Sequence, residues 1–361
     1  MTLHPSRDGR HIAIARTAIS RHTAQLIVAL SALCPAPGCD DGAAQNHMAA
    51  DASSAGDADS ATTQAAADSS APKQDPSTIT TTQIHAGDFV FDARVAGPDE
   101  GELVVLLHGF PETSYEWRAQ LGVLGAAGFR AVAPDQRGYS PGARPSAVGD
   151  YSVPLLAQDV VAIADALGAE RFHVVGHDWG ASVAWALGSI AKERLVSLTA
   201  LSVPHPDAFA MELRDERSCQ HGASSYIDFF ITDSSQDVLL ADDASVLRNV
   251  YGSLDDTVIA EYLNVLGEHD ALRAALNWYR ANFKTGELEA PELGSIATPT
   301  LFIWSDGDTA LCREGAEHTE RYVTGPYQFE ILEGVDHWLV DRAPDRVNEL
   351  LLAHLERFRE R

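Results

Sequence analysis

One segment constrains the fold more than any other. In RFHVVGHDWGASVAWALGSIAKERL (171–195) a strand pattern passes through Gly176-His177-Asp178-Trp179-Gly180 straight into a helical pattern, with no linker between them. A strand that is apolar along its length is buried on both faces, and a helix that follows it at once must fold back over the sheet. The arrangement recurs upstream. ELVVLLHG (102–109) reads as a buried strand, SYEWRAQLGVLGAAG (114–128) as a helix ending in Gly, FRAVAPD (129–135) as a strand, and SVPLLAQDVVAIADALG (152–168) as a second helix closed by Gly. VSLTALSVPH (196–205) adds another strand. Strands alternating with helices of this length give right-handed βαβ units and a parallel sheet. Ligands bind such sheets at the carboxyl ends of the strands, here His108-Gly109, Asp135, Asp178 and His205.

The alternation stops after residue 206, and residues 207–287 read as mostly helical, as in TVIAEYLNVLGEHDALRAALNWYRANF (257–283). TPTLFIWSDGD (298–308) and YQFEILEGVDHW (327–338) restore the strand pattern, and PDRVNELLLAHLERF (344–358) closes the chain as a helix. Ahead of it all, QIHAGDFVFDARVAG (83–97) reads as two short strands. The simplest architecture is an α/β core of residues 82–206 and 288–361, with a mostly parallel sheet, helices on both faces and a helical cap of residues 207–287 inserted between two strands. A chain of 361 residues, 45% hydrophobic, can bury one such core.

Charge narrows the partners. The 26 basic and 52 acidic residues give a formal charge of −26, which repels nucleic-acid phosphates and anionic lipid heads. Neutral small molecules are the least hindered. The four cysteines form no Cys-x-x-Cys pair and the 14 histidines no His-Glu-x-x-His pattern, so neither a metal nor another cofactor is expected. Cys219 and Cys312 read as two unpaired buried thiols, with a disulfide from cap to core as the alternative in an oxidising compartment.

Residues 1–39 read as an export signal. Arg7, Arg10, Arg16 and Arg21, with no acidic residue after Asp8, precede the short apolar stretch AQLIVALSALCPAPGC (24–39). That stretch is shorter than the roughly twenty apolar residues that span a bilayer. Its end resembles a bacterial lipoprotein cleavage site, with Gly38 before Cys39 and Asp40-Asp41 after it. The resemblance implies a lipidated Cys39 that holds a soluble domain at a membrane surface, hence a periplasmic or membrane-anchored protein. A chain whose extension does not act as a signal would stay cytoplasmic. Residues 40–81 read as an acidic linker of Ala, Ser, Asp, Thr and Gln, too poor in apolar surface to offset its ordering entropy.

The chemistry turns on Asp178. Gly176 and Gly180 are the small neighbours that a residue on a strained strand-to-helix turn needs, and the helix N-terminus behind it favours an anion. Asp is also a favoured N-cap, so the motif alone leaves two roles open. As a nucleophile, a carboxylate suits saturated carbon. It leaves an ester that water can clear, whereas a serine would leave an ether.

The strand–turn–helix resembles the nucleophile elbow of the α/β-hydrolases, in which nucleophile, acid and histidine follow in that order. Asp306 and Asp308 lie beyond a late strand, and His337 follows the last one. From about residue 83 onward the chain resembles the epoxide hydrolase branch of that superfamily. The matching features are His108-Gly109-Phe110-Pro111-Glu112, Gly176-His177-Asp178-Trp179-Gly180, Trp304-Ser305-Asp306-Gly307-Asp308 and Gly334-Val335-Asp336-His337-Trp338. Ser305 stands where that branch has Gly, and the alignment picks Asp308 over Asp306 as the acid.

The resemblance implies hydrolysis of an epoxide to a vicinal diol through an alkyl ester on Asp178, with His337 as general base oriented by Asp308. It also implies an oxyanion hole from the backbone N–H groups of Phe110 and Trp179, and a cis peptide bond before Pro111. Two cap tyrosines, Tyr226 in SSYIDFF and Tyr279 in NWYRANF, match the proton donors to the epoxide oxygen. With Phe110 and Trp179 they would also contact the substrate.

Rival readings share parts of this pattern. A haloalkane dehalogenase has the same Asp nucleophile and following Trp, but Phe110 lacks the second halide-binding side chain and the tyrosines go unexplained. A fluoroacetate dehalogenase calls for arginine where Trp179 stands. Asp178 itself argues against a serine esterase. A non-catalytic small-molecule receptor of the same fold would be expected to have lost one of these residues, and every candidate is present.

Overall fold

The computed structural model describes residues 75–360 apart from 285–286 and 289–291. The export signal, the lipidated Cys39 and most of the linker expected from the sequence lie outside the described residues. The linker's last residues do not, because strand β1 (Thr80–Ala86) starts inside it. Thr80, Thr81 and Thr82 are β-branched. Pairing with β2 (Phe89–Ala96) gives them ladder hydrogen bonds that need little apolar surface.

The central strands are β3 (Leu103–Leu107), β4 (Arg130–Pro134), β5 (Phe172–His177) and β6 (Leu195–Leu201). A two-residue hairpin, β7 (Phe283–Lys284) with β8 (Glu287–Leu288), lies apart from them. β9 (Thr300–Ser305) and β10 (Tyr327–Leu332) complete a sheet ordered β1-β2-β4-β3-β5-β6-β9-β10. Within this eight-stranded sheet only the β1/β2 and β2/β4 pairs are antiparallel.

β3, β5 and β6 are buried at every position, so no strand among them has a polar, solvent-facing side; the polar residues of β5 and β6 are themselves buried. Successive side chains serve opposite faces. Val104 and Leu106 join the core under α1 (Arg118–Ala126), while Val105 and Leu107 join the core under α2 (Val153–Ala166) and α3 (Trp179–Ile190).

Six helices connect β6 to the hairpin. They are α4 (Pro206–Arg214), α5 (Cys219–Ala223), α6 (Ile227–Phe230), α7 (Ser235–Val250), α8 (Asp256–Leu266) and α9 (His269–Asn282). α7 is broken at Ala241–Ala244, where Asp242, Asp243 and Ala244 take positive φ. α9 docks on the core through Trp278, whose indole N–H donates to the Arg137 carbonyl at 2.8 Å. After the sheet resumes come α10 (Arg313–His318), α11 (Leu339–Arg342) and α12 (Pro344–Phe358), the last beside α1. Among the described residues no helix is long and apolar enough to cross a membrane.

One expectation is corrected. Cys219 and Cys312 are not unpaired thiols but form a disulfide. The fold brings their Cα atoms to 6.1 Å, within bonding range, although 93 positions separate them in sequence. Only Cys312 is buried; Cys219 is exposed at the start of α5. Closing a loop of that length stabilises a fold by about 2–5 kcal/mol.

Candidate active site

Asp178 sits between β5 and α3 with φ 49° and ψ −119°, a backbone conformation that costs a non-glycine residue about 1–3 kcal/mol. The turn is tight because its neighbours lack side chains. A Cβ on Gly176 would collide with the Gly180 carbonyl, and one on Gly180 with the Leu107 carbonyl. The Asp178 carboxylate does not cap the helix it precedes. Instead Oδ1 accepts the Phe110 N–H at 2.9 Å, and Oδ2 lies 3.7 Å from His337 Nε2. The Phe110–Pro111 bond is cis. Trp179 follows as the first residue of α3.

His337 and Asp308 come from the loops after β10 and β9. His337 Nδ1 and Asp308 Oδ2 are 2.8 Å apart. The other Asp308 oxygen accepts the N–H groups of Ala310 and Leu311 at 2.8 and 2.9 Å, so the carboxylate is held on both sides. Asp306 is exposed and accepts the Gly334 N–H at 2.6 Å, a turn contact away from His337. Burial alone pushes the His337 pKa down; the charge and hydrogen bond of Asp308 outweigh it, and the net shift is upward.

Tyr279 and Tyr226 reach the same place, from α9 and from the turn before α6. Tyr279 is buried, with its ring edge-on to Trp179 at 5.0 Å and to Phe110 at 5.4 Å. The Tyr226 ring lies 6.3 Å from that of Tyr279. Burial first, then neighbouring charge that includes Asp178, pushes both phenols above their ordinary range. Both therefore stay protonated and available as donors. A cavity of about 80 Å³ opens between Asp178, Trp179, Tyr226 and Tyr279, walled by apolar side chains such as Phe209, Phe283 and Leu311. Among the described residues Asp178 is the one carboxylate in that wall, and no cation lines it.

The other strand ends are placed differently. His108 accepts the Gln136 N–H at 3.1 Å, and Asp135 accepts the Ser114 N–H at 2.7 Å. His205 caps α4 and stacks on Tyr322 at 4.8 Å; burial pushes its pKa down to about 4. None of the three lines the cavity.

Sequence reasoning missed a buried polar cluster behind His337. His177 ends β5, and its Nε2 lies 3.0 Å from the His337 carbonyl oxygen. Its Nδ1 faces Glu112 at 3.0 Å and Glu116 at 2.9 Å, and both carboxyls are almost wholly buried. Segment 114–128, read as one helix, starts as a 3₁₀ turn (Ser114–Trp117) that turns Glu116 inward. The available signal was a histidine at the end of a buried strand, which demands polar partners.

Comparisons with known proteins agree with this geometry. Residues 102–344 match the family described as alpha/beta hydrolase fold. The AB hydrolase superfamily protein YfhM of Bacillus subtilis is 33% identical over 280 residues, covering 76% of this chain and 96% of that protein. Epoxide hydrolase A of Mycobacterium tuberculosis is 32% identical over 296 residues, covering 72% of this chain and 92% of that protein. A crystal structure of Bacillus megaterium epoxide hydrolase in complex with an inhibitor superposes with a TM-score of 0.70 at 28% identity, covering 76% of this chain and 100% of the other.

Proposed function

That the chain belongs to the α/β-hydrolase fold family, and is a hydrolase of that fold, is the premise from which we propose that it opens an epoxide to a vicinal diol. The observation that carries this reading is a carboxylate, rather than a hydroxyl, on the elbow, between the Phe110 N–H and His337. The two phenols across the cavity supply what an epoxide needs and a halide does not, a proton for the departing oxygen.

In the first step an Asp178 oxygen attacks a ring carbon. The bond from that carbon to the ring oxygen breaks, and the oxygen takes a proton from Tyr279 or Tyr226. The product is a hydroxyalkyl ester of Asp178. In the second step His337 Nε2 removes a proton from water, and the hydroxide adds to the ester carbonyl carbon. The N–H groups of Phe110 and Trp179 hold the oxyanion, and Asp308 stabilises the imidazolium. Collapse expels the second diol oxygen, which takes the proton from His337. The proton left on the Asp178 carboxyl returns to the phenolate through solvent. An apolar wall with no cation among its described residues favours a neutral, apolar epoxide, contacted by Trp179, Tyr226 and Tyr279, which line the cavity, and by Phe110, whose ring stands edge-on to Tyr279.

One experiment tests both steps. His337→Gln is expected to accumulate an ester on Asp178, seen by mass spectrometry as the added mass of styrene oxide. A single turnover of the wild type in H₂¹⁸O is expected to put the label into Asp178 and not into the diol. Label in the diol, or full turnover by Asp178→Ser, would sink the mechanism. Halide release from 1-chlorobutane without diol from any epoxide would replace it by dehalogenation.

Export belongs to the same proposal, with residues 207–287 as the cap over the site. The Cys219–Cys312 disulfide supports an oxidising compartment. Palmitate labelling that disappears in Cys39→Ser would identify the lipid anchor.

A further inference from the structure

Gln220 belongs to the cap, yet its buried amide is spent on the core. Its Nε2 donates to the Ala310 carbonyl at 2.7 Å and to Ser224 Oγ at 2.9 Å, while its Oε1 accepts the Cys312 N–H at 2.9 Å. The residue before it, Cys219, is bonded to Cys312. Loop 310–312 is therefore tied to one turn of the cap by two hydrogen bonds and a covalent bond. The same loop holds the acid, since the Ala310 and Leu311 N–H groups fix one Asp308 oxygen and leave the other for His337. On the cap side the turn runs through Ser224 into Tyr226, which lines the cavity.

We propose that Gln220 and the Cys219–Cys312 disulfide form a positioning strap that sets Asp308 against His337 and Tyr226 over the cavity as one unit. Neither touches the substrate. The assignment of steps rests on the epoxide-opening reading, in which Tyr226 serves ester formation and Asp308 serves ester hydrolysis. A loosened strap slows both. Misplacing a reacting group by about 1 Å costs up to roughly 100-fold, so a loss of roughly 10- to 100-fold is expected in each phase.

The test uses the full chain in three forms: oxidised, reduced with a water-soluble phosphine, and Gln220→Met, which keeps the volume and removes the amide. Cys219 is exposed, so the reductant reaches the bond. Stopped-flow tryptophan fluorescence with styrene oxide reads ester formation and decay. NMR of the His337 Nδ1 proton against pH reads its contact with Asp308 and needs no substrate. Both altered forms are expected to slow in both phases. The His337 titration moves to lower pH in each, because Asp308 no longer lies fixed against it. His177 on β5 and Asp178 at the elbow, the other charges facing His337, are unchanged. Re-oxidation restores the reduced form.

Rates and titration that stay at wild-type values in both forms overturn the strap, whatever happens to the melting temperature. Slower rates with an unmoved titration overturn it too, since general loosening would do the same. A wild type that forms no ester on Asp178 overturns the epoxide reading instead, and the titration still decides the strap.

Discussion

The Tyr279 hydroxyl can be removed while its ring stays. That ring packs edge-on against Trp179, Phe110 and Phe230 at 5.0, 5.4 and 5.0 Å, so Tyr279→Phe keeps the aromatic wall. Loss of one hydroxyl costs about 1 kcal/mol of stability. Loss of a general acid costs roughly 10²–10⁴-fold in rate. Tyr279→Phe is therefore expected to slow ester formation on that scale with a nearly unchanged melting curve, and with ester decay unaffected. Equal slowing of both phases would mean that the ring, not the hydroxyl, was at work. At this scale the sequence was readable where chemistry is local. Asp178 is marked by the glycines beside it and His337 by its place after the last strand. The choice between Asp306 and Asp308 was not settled by residue type, because both are turn aspartates. Geometry separates them, Asp308 facing His337 and Asp306 facing the Gly334 N–H.

At the scale of elements, the elbow works only if α3 lies close against β3. Gly180 is where they meet, and a Cβ there would enter the Leu107 carbonyl. Gly180→Ala must push α3 outward and carry Asp178 with it. Overpacking of this kind costs about 1–3 kcal/mol. A domain this size then melts several degrees lower, at roughly 2–4 °C per kcal/mol. Ester formation is expected to fall by roughly 100-fold, since Asp178 leaves its place beside Phe110 N–H. A variant with normal melting and normal rate would show that the close approach is not needed. Elements buried on two faces were legible for a plain physical reason. β3, β5 and β6 have no solvent side, so β3 is an unbroken apolar run and β5 and β6 are mostly apolar, with His173, His177, Ser197 and Thr199 buried among their apolar neighbours. Residues 207–287 were legible only as helical. A helix pattern gives a buried face but not the partner it faces, so the break in α7 and the docking of α5 on loop 310–312 left no sequence mark. The Cys219–Cys312 bond stood in the sequence only as the alternative to free thiols for the same reason, because a pairing across 93 positions is set by the fold and not by spacing.

For the whole molecule, the charge balance and the buried cluster behind His337 predict different responses to solvent. With 52 acidic and 26 basic residues the surface repels itself, so added salt is expected to raise the melting temperature at neutral pH. That surface changes little between pH 7 and 9, since its carboxylates are already ionised and its arginines stay charged. The buried cluster does change. Burial first, and then the Glu116 charge, push Glu112 from its ordinary range up to about 8, while His177 is held well above its ordinary value, burial opposing and the two glutamates prevailing. Tyr262 and Asp341 close the cluster on its far side, with Tyr262 Oη 2.9 Å from the Asp341 carboxylate and 3.4 Å from Glu112.

Both shifts have one sign. A group whose folded pKa is raised keeps its proton in the folded state longer than in the unfolded one, so its contribution is full at low pH and lost as pH rises through the folded value. For Glu112 that window runs from the ordinary carboxylate range to about 8. The melting temperature is therefore expected to fall as pH rises from 6 to 9, and salt should not remove that fall, because the cluster is buried and poorly screened. Glu112→Gln has the shape of the protonated carboxyl and nothing to lose. Its melting temperature should vary less over the same range, while a substitution at exposed Asp306 should leave the fall intact. If Glu112→Gln follows the wild-type curve unit for unit, the carboxyl beside His177 is not what makes this fold sensitive to alkali.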